Sequence, residues 1–135
     1  MGLDLGTVTC GVAISDPLGI VARNVETVRF ASEDYDECLK LVLAVIKREM
    51  PDEIVLGYPK HMNNDIGIRA QASEQFKAML EEHIDIKVVL WDERLTTAAA
   101  ERILIQADVS RKKRKKVIDQ MAAVQILQSY LDFSR

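Results

Sequence analysis

The chain has 135 residues, of which 48% are hydrophobic and 29% are charged, and its formal net charge is −3. This composition excludes a disordered chain, and the length predicts one domain, residues 1–135. The sequence has no apolar run of the roughly 18 residues that a membrane span requires, and no secretory signal, so we expect a cytoplasmic protein without membrane contact. Cys10 and Cys38 lack metal-binding spacing and are expected to be reduced core thiols.

The first part of the chain predicts three strands joined by tight turns. The residues up to Leu5 form a short first strand, and residues 12–14 form an apolar run that ends at the turn of residues 16–19. Residues 21–30 alternate in part between apolar and polar side chains, which indicates a third strand. Three consecutive strands with short connections favour an antiparallel meander.

The spacing of apolar residues then changes to that of a helix. Cys38, Val42 and Val45 recur at helical intervals, and Pro51 ends this helix. The remaining predicted elements are, in order, a strand at residues 54–56, a helix at 68–82, a strand at 86–90, and helices at about 97–107 and 115–131. The order βββαβαβαα predicts an α/β fold, in which helices cover a mixed sheet of three antiparallel strands followed by two parallel ones.

Binding sites of such sheets gather at the carboxyl ends of the strands. Asp4 lies near the end of the first strand, between two leucines, where a charged carboxylate is costly unless something compensates it. The Gly6-Thr7 turn that follows could bring backbone amides close to a bound oxyanion. The alternative is that Asp4 only hydrogen-bonds this turn.

Asp119 is the second unusual carboxylate. On a helical wheel it falls within the apolar stripe formed by Ala122, Ala123, Ile126 and Tyr130, which is the face expected to lie on the sheet. The two alanines would let the helix approach the sheet closely. A favourable interaction with the helix dipole is the alternative explanation, although it does not require a position on the buried face.

The third group of carboxylates follows the fifth strand. Asp92, Glu93 and Arg94 come directly after an apolar run, and the alternative to a functional site is that Arg94 pairs with Glu93 structurally. Carboxylates from three distant segments would then meet at one end of the sheet and need a cation to offset their repulsion. Mg²⁺ or Mn²⁺ suits oxygen ligands, and a pair of ions about 4 Å apart can hydrolyse a phosphodiester.

At these residues the sequence resembles the YqgF/RuvX family of Holliday junction resolvases and pre-ribosomal RNA nucleases. The matching motifs are GLDLGT with GVAISD, VLGYPKHMN with GIRAQASEQF, VVLWDERLTT, and the basic run with VIDQMAAVQILQ. The resemblance implies a ribonuclease-H-like fold and a catalytic, metal-binding triad at Asp4, Glu93 and Asp119, with Asp92 as a possible further ligand. Family members usually carry a few residues before the position of Met1, so the first strand is expected to be short.

Residues 111–116, RKKRKK, carry +6, so the rest of the chain carries −9. This run is predicted to be exposed and to neutralise phosphates of a nucleic acid, the alternative being a merely solvated helix start. Polar residues in the loop after the fourth strand, including Asn64, could add contacts. The predicted nucleic-acid-binding residues are Lys60, Asn63, Arg69, Arg94, Arg111, Lys112, Lys113, Arg114, Lys115 and Lys116.

The resemblance favours a nuclease that processes the 5′ end of the 16S ribosomal RNA precursor. A resolvase of four-way DNA junctions is the first alternative and would act as a homodimer, whereas an RNA-processing enzyme could be a monomer. A non-catalytic nucleic-acid-binding factor in ribosome assembly or transcription is the second alternative. GLDLGT also resembles the first phosphate loop of actin-like sugar kinases, but this length leaves no room for their second domain.

Overall fold

A computed structural model describes residues 1–59, 67–92 and 111–134, with the course of the backbone alone for residue 68 and residues 111–120. The elements are β1 (Gly2–Leu5), β2 (Thr9–Ser15), β3 (Ala22–Arg29), α1 (Tyr35–Glu49), β4 (Glu53–Tyr58), α2 (Ile68–Glu81), β5 (Lys87–Asp92) and α3 (Arg111–Phe133). The helix predicted at about 97–107 lies outside the described residues.

The five strands form one mixed sheet in the order β3-β2-β1-β4-β5. β1 and β3 both pair with β2 in antiparallel fashion, whereas β4 pairs in parallel with β1 and β5. The predicted α/β fold with three antiparallel and two parallel strands is therefore confirmed. None of the described helices is long and apolar enough to cross a membrane.

Four elements are longer than their apolar patterns predicted, among them β4, which extends beyond the predicted residues 54–56 at both ends. β2 begins at Thr9, because the residues before the apolar run also pair with β3. β5 continues through Trp91 and Asp92, which pair with Gly57 and Tyr58 of β4. α3 begins at Arg111 rather than at about residue 115, since lysine and arginine have high helix propensity even where their charges repel one another.

One face of the sheet packs against α1 and α2. Leu3 and Leu5 of β1 join the buried side chains of α1, such as Val42, and of α2, such as Phe76, in one apolar cluster. α1 begins where the Asp34 side chain accepts a hydrogen bond from the backbone N–H of Glu37 at 3.1 Å. These contacts hold both helices on the same side of the central strand.

The opposite face packs against α3. Ala123, Ile126 and Leu127 are buried there, as the apolar stripe predicted. Polar residues beside this stripe connect the helix to the sheet by hydrogen bonds. The Gln128 side chain accepts one from the Ala22 N–H at the start of β3, and the Ser129 hydroxyl accepts one from the Trp91 indole at 3.2 Å. The sheet is thus covered on both faces.

Candidate active site

The carboxyl ends of β1, β4 and β5 lie at the same edge of the sheet, because these three strands are parallel. Leu3 pairs with Leu56, so Asp4 is level with Gly57 of β4 and with Trp91 of β5. Asp4 is half-buried. The sequence placed this carboxylate near the end of a strand, and the structure puts it one residue before the end of the central strand.

The turn after β1 is fixed by backbone hydrogen bonds. The Gly6 N–H donates a hydrogen bond to the Thr9 carbonyl at 2.7 Å. The Glu33 N–H, in the loop after β3, donates one to the Thr7 carbonyl at 2.8 Å. A Cβ on Gly6 would lie 3.0 Å from the Thr9 carbonyl oxygen, so the turn has little room for a side chain at this position. The strand end that carries Asp4 is therefore held on both sides.

Small residues flank Asp4 on the face that α3 covers. Gly11 of β2 pairs with Asp4. A Cβ added to Gly11 would lie 3.4 Å from the Ala123 Cβ and 3.8 Å from the Asp4 Cβ. Small residues therefore leave room beside the carboxylate. Sequence reasoning noticed the alanine but not Gly11, although a glycine inside a strand often marks a close approach.

The path of α3 brings position 119 toward this edge. Gly2, at the start of β1, lies against Leu127, whereas Gly11, level with Asp4, lies against Ala123. The helix therefore runs antiparallel to β1, and residue 119 comes one turn before Ala123, toward the carboxyl end of the strand. Of Asp119 the structure describes the backbone alone.

Asp92 belongs to the other face of the sheet. It pairs with Tyr58, one residue beyond the level of Asp4, and side chains of successive strand residues point to opposite faces. The Tyr58 hydroxyl donates a hydrogen bond to the Glu74 carboxylate of α2, so the Tyr58 side chain lies on the face of the sheet that α2 covers. The structure therefore separates Asp92 from Asp4, although the two are close along the strand direction.

Arg69 stands at the same edge as Asp4. It lies in the first turn of α2, is exposed, and donates a hydrogen bond from Nη2 to the Leu5 carbonyl at 3.1 Å. A Cβ on Gly6 would lie 3.8 Å from the same nitrogen. A guanidinium with five N–H donors thus sits beside the end of the strand that carries the carboxylate.

Two thiols, Cys10 and Cys38, contact each other in the core. A hydrogen bond with the Cys38 thiol, followed by burial and by the negative charge of Asp4, raises the pKa of the Cys10 thiol. Both cysteines are fully buried and free. Both side chains therefore lie in the core as predicted, and the raised pKa disfavours the reactive thiolate form of Cys10.

Glu93, Arg94, Lys60, Asn63 and Asn64 lie outside the described residues. Within the described part of the chain, no three acidic, histidine or cysteine side chains form a group that could hold a metal ion. Of the predicted triad, only the Asp4 side chain falls within that part.

The basic run forms the N-terminal end of α3. Residues 111–116 occupy about one and a half turns, and the first turn contains no acidic residue. Cations at a helix N-terminus are disfavoured by the helix dipole as well as by their mutual repulsion. An anion bound at this end would offset both costs, as a nucleic-acid phosphate can.

Comparison with known families gives a match over nearly the whole chain. The profile of a family described as "RuvX: Holliday junction resolvase" matches residues 1–133. A protein of Geobacillus kaustophilus (strain HTA426), named "Putative pre-16S rRNA nuclease", is 58% identical over 100% of this chain and 98% of its own length. A protein of Bacillus subtilis (strain 168) with the same name is 55% identical over 98% of this chain and 96% of its own length.

Two solved structures share the fold at low sequence identity. The first is "T. thermophilus RuvC in complex with Holliday junction substrate", with a TM-score of 0.62, 14% identity, and coverage of 96% of this chain and 90% of that chain. The second is the fowlpox virus Holliday junction resolvase, with a TM-score of 0.54, 14% identity, and coverage of 97% of this chain and 96% of that chain. These likenesses confirm the ribonuclease-H-like fold.

Proposed function

Because the chain belongs to the RuvX family and is a nuclease, we propose that it hydrolyses a phosphodiester bond near the 5′ end of the 16S ribosomal RNA precursor. The names of its close relatives support this substrate, and the enzyme would act in the cytoplasm, where ribosomal RNA matures in bacteria. The observation that carries the proposal is the half-buried Asp4 carboxylate at the carboxyl edge of the sheet, beside the small residues Gly11 and Ala123.

We propose Asp4, Glu93 and Asp119 as the residues that hold Mg²⁺ or Mn²⁺. Asp4 fits this role because it is a half-buried carboxylate at a strand end, beside Gly11 and Ala123, whose small size leaves room next to it. A bound pair of divalent ions supplies activation of a water molecule and stabilisation of the leaving oxygen. We leave Asp92 out of the proposed set, because strand alternation places it on the opposite face of the sheet.

The side chains around the carboxylates would position the substrate. Arg69, held on the Leu5 carbonyl, keeps further N–H donors for a phosphate, and the cations of residues 111–116 would neutralise the adjacent backbone. Lys60, Asn63 and Arg94 complete the proposed contacts. Phosphate contacts carry no sequence information, so the shape of the RNA would select the cleavage position.

The first prediction concerns Asp4→Asn. This change keeps the size of the side chain but removes the charge, so cleavage of a 16S precursor transcript with Mg²⁺ or Mn²⁺ should slow by at least about a hundredfold. The variant should also lose the rise in melting temperature that the metal gives the unchanged protein, because the ion no longer stabilises the folded state.

Asp92→Asn is the matched comparison, since it makes the same change on the opposite face. It should retain most of the cleavage rate and the metal-induced stabilisation. A folded Asp4→Asn variant that cuts normally would refute the proposed site. Binding of RNA without cleavage by the unchanged protein would instead favour a binding factor.

The family description favours one second candidate, cleavage of four-way DNA junctions. Resolution of a junction requires two symmetric cuts and hence two copies of the chain, whereas cleavage of the RNA precursor can be done by a monomer. An assay of both substrates beside a measurement of solution mass separates the two candidates. Symmetric junction cleavage by a dimer, with an intact RNA precursor, would replace the proposed substrate.

A further inference from the structure

A cavity of about 550 Å³ opens at the edge of the sheet opposite Asp4. It lies where β1 and β4 begin and β2 ends, and we call it the rear cavity. Its apolar wall includes Val55 of β4 and Leu127 and Leu131 of α3. Met1 and Val55 line it and lie two to three residues before the level of Asp4, which corresponds to roughly 7–10 Å along the strands.

Two large apolar side chains at the mouth of the rear cavity are mostly exposed. Leu18 and Met50 both line it, and each is 79% exposed. Leu18 is the third residue of a turn that closes with a hydrogen bond from the Gly19 N–H to the Asp16 carbonyl at 3.0 Å. Turn positions of this kind ordinarily carry polar residues or glycine, so local structure does not account for a leucine there.

Met50 is placed even less favourably for its own fold. It caps the end of α1 with a φ of 52°, in the left-handed region that favours glycine. Because the side chain is exposed, it gains little free energy from burial, and the left-handed backbone conformation costs free energy for any residue with a Cβ. Neither packing within the chain nor backbone geometry favours a methionine here, and its exposed side chain is available for contact with another molecule.

The charge around the rear cavity is mainly negative. Asp16, Glu49, Asp52 and Glu53 line it, against the single guanidinium of Arg23 and the terminal amine. Within the part of the chain that is described, Arg48 approaches Glu49 at 3.6 Å and Lys87 approaches Glu53 at 3.9 Å, which offsets part of this charge. Asp52 is exposed at the rim.

We propose that the rear cavity binds a basic segment of a partner protein. An apolar side chain of the segment would enter between Leu18 and Met50, while its lysines or arginines would lie against the acidic rim. Charge complementarity favours such a segment over a nucleic acid, which the rim would repel. Because this cavity and the proposed active site lie at opposite edges, partner and substrate could be bound together.

The test uses a fluorescein-labelled peptide of lysine and leucine, and anisotropy as the readout. We expect saturable binding that weakens as salt is added, with little binding of two matched peptides, one with serine for leucine and one with glutamate for lysine. Met50→Gly should weaken binding by roughly tenfold, which corresponds to the loss of one buried apolar contact. Its melting temperature should be unchanged or higher, because glycine relieves the left-handed backbone.

Matched variants separate this site from general attraction to an acidic protein. Asp52→Lys should weaken binding, whereas Glu82→Lys, the same charge change at an exposed residue outside the cavity, should weaken it less. Met121→Ala, which removes an exposed methionine elsewhere, should bind normally. Equal binding by all variants, or equal binding of the serine peptide, would overturn the proposal. So would a dimer in solution that Met50→Gly dissociates, because a second copy would then occupy the cavity.

Discussion

Single glycines set how closely α3 approaches the sheet. At Gly2 an added Cβ would lie 2.7 Å from the Leu127 Cβ and 2.9 Å from the Ala123 carbonyl oxygen. Real Cβ atoms essentially never show contacts as short as either of these. At Gly11 the nearest atom would be the Ala123 Cβ at 3.4 Å, an ordinary contact. The two positions therefore differ in tolerance although both face the same helix.

Gly2→Ala should destabilise the protein by about 1–3 kcal/mol, because α3 must move away from β1 to admit the methyl group. Gly11→Ala is the matched change and should cost less than about 1 kcal/mol. Urea unfolding monitored by circular dichroism measures both. Equal destabilisation by the two changes would show that α3 does not approach β1 more closely at Gly2.

At the scale of elements, Gln128 connects α3 to the β2–β3 hairpin. Its side chain accepts a hydrogen bond from the Ala22 N–H at 2.9 Å and donates one to the Ile20 carbonyl at 2.8 Å. The same turn is held internally by Asp16, whose carboxylate accepts hydrogen bonds from the Ile20 and Val21 N–H groups. The hairpin is thus fastened both by its own side chain and by a helix more than a hundred residues later in the chain.

Gln128→Ala should lower the free energy of unfolding by about 1–2 kcal/mol, because two hydrogen bonds between the helix and the hairpin are lost. Gln125→Ala makes the same chemical change on the same helix and should cost less than about 0.5 kcal/mol, since alanine favours the helix. Thermal unfolding followed at several protein concentrations provides the comparison. A larger effect at Gln125 would contradict the assigned role of Gln128.

The order of the described elements was predictable from sequence because apolar spacing and turn residues indicate it directly. The position of Asp4 followed from its place between two leucines before a glycine turn, and the buried stripe of α3 followed from helical periodicity. The face of Asp92 was not predictable in the same way. The face to which a side chain points alternates with each residue of a strand. Because the strand was expected to end at residue 90, the orientation of Asp92 stayed open until its pairing with Tyr58 was known.

The rear cavity shows a different limit of sequence reasoning. Leu18 and Met50 look like ordinary apolar residues near turns, and one-dimensional periodicity does not show that they remain exposed. Their exposure results from how the hairpin and the end of α1 meet α3. Contacts between distant segments also bring Gly11 to face Ala123 beside Asp4, which periodicity along the chain does not show.

For the molecule as a whole, several protonated groups are stabilised by folding. A hydrogen bond to Glu74 raises the pKa of Tyr58, and one to Glu53 raises that of Tyr130. Burial raises the pKa of Tyr35, and the hydrogen bond with Cys38 raises that of Cys10. Each of these groups holds its proton more tightly in the folded state than in the unfolded chain.

Stability should therefore fall as the solution becomes alkaline. A raised folded-state pKa contributes stability that is fully present below the unfolded pKa, about 8.5 for cysteine and about 10 for tyrosine. This stability is lost as the pH rises from that value through the folded-state pKa. The urea midpoint should be lower at about pH 10.5 than at about pH 8. Tyr58→Phe lacks one of these phenols, so its urea midpoint should decrease less between the two pH values than that of the unchanged protein. An identical decrease in the two proteins would show that Tyr58 does not contribute.

Trp91 is the one tryptophan of the chain, and its position gives the protein an internal fluorescent reporter. Its ring lies 5.3 Å from the rings of Tyr130 and Phe133, between edge strand β5 and the last turns of α3. Indole emission depends on this aromatic contact, so detachment of the end of α3 would change the emission before the apolar cluster under α1 and α2 is exposed. Emission and circular dichroism recorded together would then separate loosening of one face of the sheet from loss of the whole fold.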